Sequence, residues 1–68
     1  MNERIKELRK TLKLTQQEFA DRLSLKRNTI ATYEMGKATP SDRTVNDICD
    51  KYNVNEDWLR NGIGDMFN

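Results

Sequence analysis

Apolar residues recur at steps of three and four along this chain, the spacing that places side chains on one face of an α-helix. Ile5, Leu8 and Leu12 follow it near the N-terminus, and Val45 and Ile48 follow it in the second half. No segment shows the two-residue alternation of a β-strand. The pattern predicts an all-α fold, and the residues between the apolar stretches divide it into five helices.

The first two helices have recognisable start signals. Asn2 is of a type that favours the N-cap position, and we expect it to cap a helix that runs to about Lys13. Thr15, followed three residues later by Glu18, forms a capping box that opens a second helix to about Leu23.

The later helices are bounded in the same way. A third helix, from about residue 26 to residue 35, is expected to end at Gly36 in the left-handed conformation. Ser41 caps a fourth helix to residue 52, and Asn55 caps a short fifth helix that Gly62 ends after residue 61. The inward residues of these two helices are expected to be Val45, Ile48, Cys49, Tyr52, Trp58 and Leu59.

Composition narrows the class of protein. The 68 residues fit a single small domain, and Cys49 is the single cysteine, expected as a core residue rather than a nucleophile. No apolar run approaches the roughly 20 residues of a membrane span, and the first residues lack the apolar stretch of a signal peptide. We therefore expect a cytoplasmic protein with no membrane partner.

The chain has few residues of the types that catalyse reactions or bind metals and cofactors. The chain has no histidine, no glycine-rich phosphate loop and no set of metal ligands. We expect neither an enzyme nor a bound metal, cofactor or small-molecule ligand.

Charge is distributed unevenly although the net charge is only +1. Residues 1–37 contain nine Lys or Arg against five Asp or Glu, whereas residues 38–68 contain three against six. This asymmetry fits a molecule that turns its N-terminal half toward a polyanion, although solvated helix faces would also produce it.

Residues 15–37 have the physical features of two helices joined by a tight turn. Ala20 provides a small residue where the helices cross, and Ser24 occupies a position that requires positive φ, at a cost of about 1 kcal/mol. Ile30 and Tyr33 are expected to face the second helix. The opposite face of the third helix then carries Arg27, Asn28, Ala31 and Thr32.

Four linked segments resemble the Cro and repressor family of phages, also called the XRE family. They are LTQQEFA at residues 14–20, IATYEMGK at 30–37, Pro40-Ser41, and NVNEDWLRNG at 53–62. The chain departs from the family pattern at Lys13 and Ser24, where glycine is common, and at Lys26, where Ser or Thr often caps the helix.

The resemblance implies a five-helix, lambda-repressor-like DNA-binding domain with a helix-turn-helix, acting as a transcriptional repressor on double-stranded DNA. Arg27, Asn28 and Thr32 fall on its base-reading positions. A guanidinium can bind guanine and an amide can bind adenine through paired hydrogen bonds, and a threonine methyl can contact thymine.

Other positions match supporting roles in the family. Arg9 and Glu34 match an ion pair that ties the first helix to the end of the third. The residues expected to contact the DNA backbone or to position the protein on it are Gln16, Gln17, Lys26, Thr29 and Lys37.

One such module contacts few base pairs, so we expect a homodimer on a palindromic operator. Residues 61–68, interrupted by two glycines, are either loose or docked on a neighbour. The candidate dimer contacts are Trp58, Ile63, Met66 and Phe67. The alternative is an antitoxin-like protein-interaction module with the same fold.

Overall fold

Five helices form the regular structure of the chain, as the apolar pattern predicted. The computed structural model describes residues 1–68. The helices are α1 (Asn2–Thr11), α2 (Gln16–Arg22), α3 (Arg27–Glu34), α4 (Asp42–Tyr52) and α5 (Glu56–Asn61).

Three helices begin at the caps that the sequence predicted. The Thr15 hydroxyl accepts a hydrogen bond from the Glu18 backbone N–H, and the Glu18 carboxylate accepts one from the Thr15 N–H, which completes the capping box. Ser41 caps α4 by accepting from the Thr44 N–H, and Asn55 caps α5 by accepting from the Asp57 N–H.

The cap predicted for α1 is wrong. Met1 is the N-cap residue, without a side-chain cap bond, and Asn2 is already helical. The Asn2 amide instead donates to the Glu34 carbonyl at the end of α3, 3.4 Å away. At its other end the helix stops at Thr11, two residues before the predicted end, because Lys13 adopts a left-handed conformation with φ 58°.

The hydrophobic core draws on all five helices. Phe19 and Tyr52 stack with ring centroids 4.8 Å apart, and the Tyr52 hydroxyl donates to the Phe19 carbonyl at 3.1 Å. Cys49 and Tyr52, both expected on the inward face of α4, are only half-buried. The buried hydrophobic residues are Ile5, Leu8, Phe19, Ala20, Ile30, Val45, Ile48, Val54, Trp58 and Leu59.

Residues 61–68 are docked on their own chain. The Asn55 N–H donates to the Met66 carbonyl at 2.9 Å, and the Asn68 N–H donates to the Asn53 carbonyl at 3.1 Å. These bonds flank a single antiparallel bridge between Val54 and Phe67. The pairing holds the C-terminal residues against the connection between α4 and α5.

No helix combines the length and the apolar character that crossing a membrane requires.

Candidate nucleic-acid interface

The α2–turn–α3 unit is built by short backbone hydrogen bonds. The Leu25 N–H donates to the Ala20 carbonyl at 2.9 Å, and the Ser24 N–H donates to the Asp21 carbonyl at 3.1 Å. Ser24 reaches φ 58°, the left-handed conformation expected from its place in the turn. Ala20, the small residue expected where the two helices cross, is fully buried.

The buried face of α3 fixes which side chains it exposes. Ile30 is fully buried and Tyr33 packs against the core, whereas Arg27 and Asn28 are exposed at the start of the helix. Thr32 lies one turn after Asn28 and is half-buried. The three predicted base-reading residues therefore lie within two turns of one helix, and the first two are open to solvent.

No side chain caps the N-terminus of α3. Lys26 is the N-cap residue, in an extended conformation, and makes no side-chain cap bond. The Thr29 N–H donates to the Lys26 carbonyl at 3.0 Å, which leaves the N–H groups of Arg27 and Asn28 without an intrahelical partner, and such groups attract anions. The substitution of Lys for the usual Ser or Thr leaves these groups uncapped by the chain itself.

The end of α3 is fixed by a Schellman motif. Gly36 has φ 75°, its N–H donates to the Tyr33 carbonyl, and the Lys37 N–H donates to the Thr32 carbonyl, both at 3.1 Å. The left-handed terminator predicted at Gly36 is confirmed. The exposed Lys37 side chain is consequently held at the C-terminal end of α3.

Arg9, Glu34 and Gln16 form a polar network beside α3. Arg9 Nε and Nη2 donate to the two carboxylate oxygens of Glu34 at 2.7 and 3.0 Å. Gln16 Nε2 donates to Glu34 Oε1 at 3.2 Å, and Arg9 Nη1 donates to the Leu14 carbonyl. The side chains of Arg9 and Glu34 are 13% and 4% exposed, so the pair that ties α1 to α3 is largely shielded from water.

The hydrogen bonds of this network shift the pKa values of Glu34 and Arg9. Burial acts to raise the pKa of Glu34, but the hydrogen bonds from Arg9 and Gln16 and the Arg9 charge outweigh it, so the pKa is lowered. The hydrogen bond to Glu34 raises the pKa of Arg9. Both side chains therefore remain charged at neutral pH.

The residues expected to contact the DNA backbone differ in their exposure and in whether their side chains are already bonded within the chain. Lys26 and Lys37 are exposed and, like Arg27, form no ion pair within the chain. Thr29 is half-buried. Gln17 is exposed, but its amide donates to Asp21 Oδ1 at 2.7 Å, which holds the side chain along α2.

The four residues expected at a dimer contact divide into two pairs. Trp58 is 9% exposed and belongs to the core, and Met66 packs against that core. Ile63 is 62% exposed and Phe67 is 37% exposed. Of these four residues, only Ile63 and Phe67 offer substantial apolar surface to another molecule.

Arg4 has a structural role that was not expected from the sequence. Its Nε and Nη2 atoms donate to the carbonyls of Leu59 and Arg60 at 2.9 and 2.8 Å. These carbonyls lie in the last turn of α5, where a cation is favoured by the helix dipole. Arg4 therefore fastens α5 to α1, although no local motif around it indicates a partner more than fifty residues away.

Comparison with known proteins supplies a family for this geometry. A family model described as a helix-turn-helix domain matches residues 2–65. No solved structure matches the chain significantly.

Two curated relatives are similar over most of the chain. The antitoxin PezA of Streptococcus pneumoniae is 40% identical over 67 residues, which cover 90% of this chain and 42% of PezA. The uncharacterized HTH-type transcriptional regulator YqaE of Bacillus subtilis is 38% identical over 61 residues, which cover 90% of this chain and 53% of YqaE. The chain thus spans about half the length of these relatives.

Proposed function

We propose that this chain, which belongs to the helix-turn-helix domain family, is a DNA-binding regulator of transcription that recognises its sites by sequence. One observation carries the proposal. Arg27, which forms no ion pair, and Asn28 are exposed at the uncapped start of α3, while Ile30 on the other face of that helix is buried. The similarity to a protein named as a transcriptional regulator supports the same conclusion.

The mechanism places the first turn of α3 in the major groove. The Arg27 guanidinium would donate two hydrogen bonds to O6 and N7 of a guanine, and the Asn28 amide would pair with N6 and N7 of an adenine. Each contact contributes about 1 to 3 kcal/mol of discrimination against a wrong base. These two residues would therefore set most of the sequence preference.

Contacts with the sugar-phosphate backbone would set the register of α3 in the groove. Lys26 and Lys37 lie at its two ends as exposed, unpaired cations. Gln16 would donate the second N–H of its amide, since the other is bound to Glu34. Thr29 and Gln17 are the remaining residues that would contact the DNA backbone. Because phosphates are present at every position, these contacts would bind all sequences alike.

The active species we propose is a homodimer on a palindromic operator, with half-sites about one helical turn apart. Residues 1–68 would act as one DNA-binding domain in each subunit, and Ile63 and Phe67 would meet their counterparts across the two-fold axis. We propose repression as the regulatory outcome, because a dimer bound to an operator that overlaps a promoter blocks access to that promoter.

Selection of binding sites from randomised duplex DNA tests this proposal. We expect an enriched inverted repeat whose half-sites contain a guanine and an adjacent or nearby adenine. Retention of the selected DNA should weaken steeply with rising salt, as phosphate contacts require. A pool that shows no enriched sequence after repeated rounds would contradict sequence recognition.

A second candidate function is favoured by the similarity to the antitoxin PezA. In this alternative the domain serves mainly to bind a protein partner, and its DNA affinity is secondary or lost. Co-purification of a stoichiometric protein partner, together with the absence of salt-sensitive DNA retention, would favour the antitoxin-like function. Strong retention of one DNA sequence without any partner would favour the regulator.

A further inference from the structure

The pairing of the C-terminal residues with the connection between α4 and α5 has a definite hydrogen-bond pattern. Val54 and Phe67 form the antiparallel bridge, and both hydrogen bonds that flank the bridge come from neighbouring residues. Val54 and Phe67 are therefore a pair of the non-hydrogen-bonded type, in which the N–H and C=O groups of the two residues point away from each other. Each of these residues thus lies on one outer edge of the pairing.

The two outer edges differ in whether their backbone groups are bonded. The Val54 N–H donates to the Cys49 carbonyl at 3.0 Å, and the Val54 carbonyl accepts from Asn68 Nδ2 at 3.1 Å. The N–H and C=O groups of Phe67 have no hydrogen-bond partner within the chain, and the Phe67 side chain is exposed. An open strand edge of this kind is a template for pairing with another chain.

We infer that two copies of the chain pair along this edge, Phe67 against Phe67, and that this pairing holds the proposed dimer together. A residue that presents a donor and an acceptor on one side is complementary to a copy of itself related by a two-fold axis, because the two copies exchange both N–H···O bonds. The result is an antiparallel arrangement of four short strands. The inference rests on the proposed function and specifies the contact between its two subunits.

The side chains near this edge favour an antiparallel pair of identical chains. Pairing about the axis places the two Phe67 rings opposite each other on one face, with Cβ atoms about 5.5 Å apart, where aromatic pairs are favourable. Asp65 is exposed two residues earlier. The two-fold axis keeps the two Asp65 carboxylates on opposite sides of it, whereas parallel strands in the same register would place these like charges side by side.

Removal of one backbone donor tests the pairing without changing any side chain. A chemically synthesised chain with a methyl group on the Phe67 backbone nitrogen lacks that N–H but keeps the phenyl ring. No hydrogen bond within the chain is lost, so we expect an unchanged unfolding midpoint. The dissociation constant of the dimer, measured by analytical ultracentrifugation, should rise about thirtyfold, the factor for two hydrogen bonds lost per dimer. The synthetic chain without the methyl group is the control.

Hydrogen exchange of the unmodified chain is a second measurement, and it decides the question even if the methyl group disturbs the fold. We expect the Phe67 amide to exchange rapidly in a dilute, monomeric sample and to become protected as rising concentration forms the dimer. The Asn55 and Asn68 amides are hydrogen-bonded within each copy, so they should be protected at both concentrations and serve as internal controls.

Each outcome bears on the inference or on the proposed function separately. An unchanged dissociation constant for the methylated chain, or a Phe67 amide that exchanges rapidly in a demonstrated dimer, would overturn the inference and leave sequence-specific DNA binding intact. Protection of this amide only in the presence of a different protein chain would also overturn it. A chain that stays monomeric on its selected DNA would refute both the dimer and the inference. Absence of DNA retention would refute the proposed function, while the exchange of the Phe67 amide would still decide whether two copies pair.

Discussion

Two residues other than glycine and asparagine, Lys13 and Ser24, have the left-handed conformation, one just after the C-terminal end of α1 and the other just after that of α2. Each has φ 58°. An L-residue with a side chain is strained there, by roughly 1 to 2 kcal/mol, because its Cβ atom approaches the following carbonyl oxygen. The strain at Ser24 follows from its place in the turn, where the Leu25 N–H must reach the Ala20 carbonyl.

Replacing Ser24 by glycine should therefore stabilise the fold. We expect Ser24→Gly to raise the free energy of unfolding by about 1 kcal/mol, because glycine adopts positive φ without the Cβ contact. Chemical denaturation measures the change. Ser24→Ala is the matched control, since it removes the hydroxyl but keeps the Cβ atom, and a gain of equal size in both variants would contradict the explanation.

Arg27 and Lys37 should affect DNA binding in different ways. We expect Arg27→Ala to weaken binding to the selected site by about 1 to 3 kcal/mol and to relax the preference at one base pair, because it removes contacts to a base edge. Lys37→Ala should weaken all sequences alike and flatten the dependence of affinity on salt, because it removes a phosphate contact.

Titrations of specific and random DNA at several salt concentrations measure both effects. Lys51→Ala provides the control, since it removes one exposed lysine from α4, in the acidic half of the chain. Equal losses on specific and random DNA from Arg27→Ala and Lys37→Ala would refute the division of roles.

Among the elements, α1 and α3 are coupled through the Arg9–Glu34 pair. The pKa of Glu34 is lower in the folded chain than its ordinary value, so its charged form stabilises the fold above the unfolded pKa of about 4.3. This contribution is lost as the pH falls through the lower folded pKa.

Glu34→Gln should cost about 3 kcal/mol at neutral pH, since it leaves the largely buried Arg9 without its counter-charge. The gap in stability between the variant and the wild type should begin to narrow below the unfolded pKa of about 4.3, where the carboxylate of the unfolded chain takes up a proton, and should be lost as the pH falls through the lower folded pKa of Glu34. Thermal denaturation across this pH range measures the gap. A gap that is independent of pH would show that the Glu34 charge does not stabilise the fold.

At the scale of the elements, the helix starts that depend on local capping bonds were predicted correctly, and the start that depends on a long-range contact was not. The starts of α2, α4 and α5 were predictable because each cap bonds to a backbone N–H two or three residues away. Asn2 has the same capping chemistry, but its amide is bound by the Glu34 carbonyl, a contact across 32 residues that no local pattern encodes.

In the candidate site, too, the sequence predicted what depends on local spacing and did not predict the side-chain hydrogen bonds. The exposure of Arg27 and Asn28 follows from the helical period that buries Ile30. The hydrogen bond from Gln17 to Asp21 and the bond from the Thr32 hydroxyl to the Asn28 carbonyl depend on side-chain rotamers, which sequence spacing permits but does not fix.

For the molecule as a whole, the arrangement of the C-terminal residues decides which surface is available to a second copy. The pairing of Val54 with Phe67 could not be predicted, because one isolated bridge lacks the alternating pattern of a strand. It leaves Ile63 as the most exposed large hydrophobic residue. A charge there should oppose dimerisation without disturbing the core.

We therefore expect Ile63→Asp to shift the proposed dimer toward the monomer by at least tenfold in dissociation constant, while the unfolding midpoint stays within experimental error of the wild type. Analytical ultracentrifugation, with and without the selected DNA, measures the change. Asn46→Asp, which adds the same charge on an exposed position of α4, is the control. A wild-type chain that remains a monomer at high concentration and on its operator would end the dimer proposal.

The central claim is that the first turn of α3 enters the major groove with Arg27 on a guanine. Protection of the selected DNA from dimethyl sulfate, which methylates guanine N7 in that groove, tests this claim most directly. We predict that one guanine in each half-site is protected by the wild-type chain and becomes reactive again when Arg27→Ala is bound at saturating concentration. Full protection by the variant, or no protected guanine with the wild type bound, would contradict the claim.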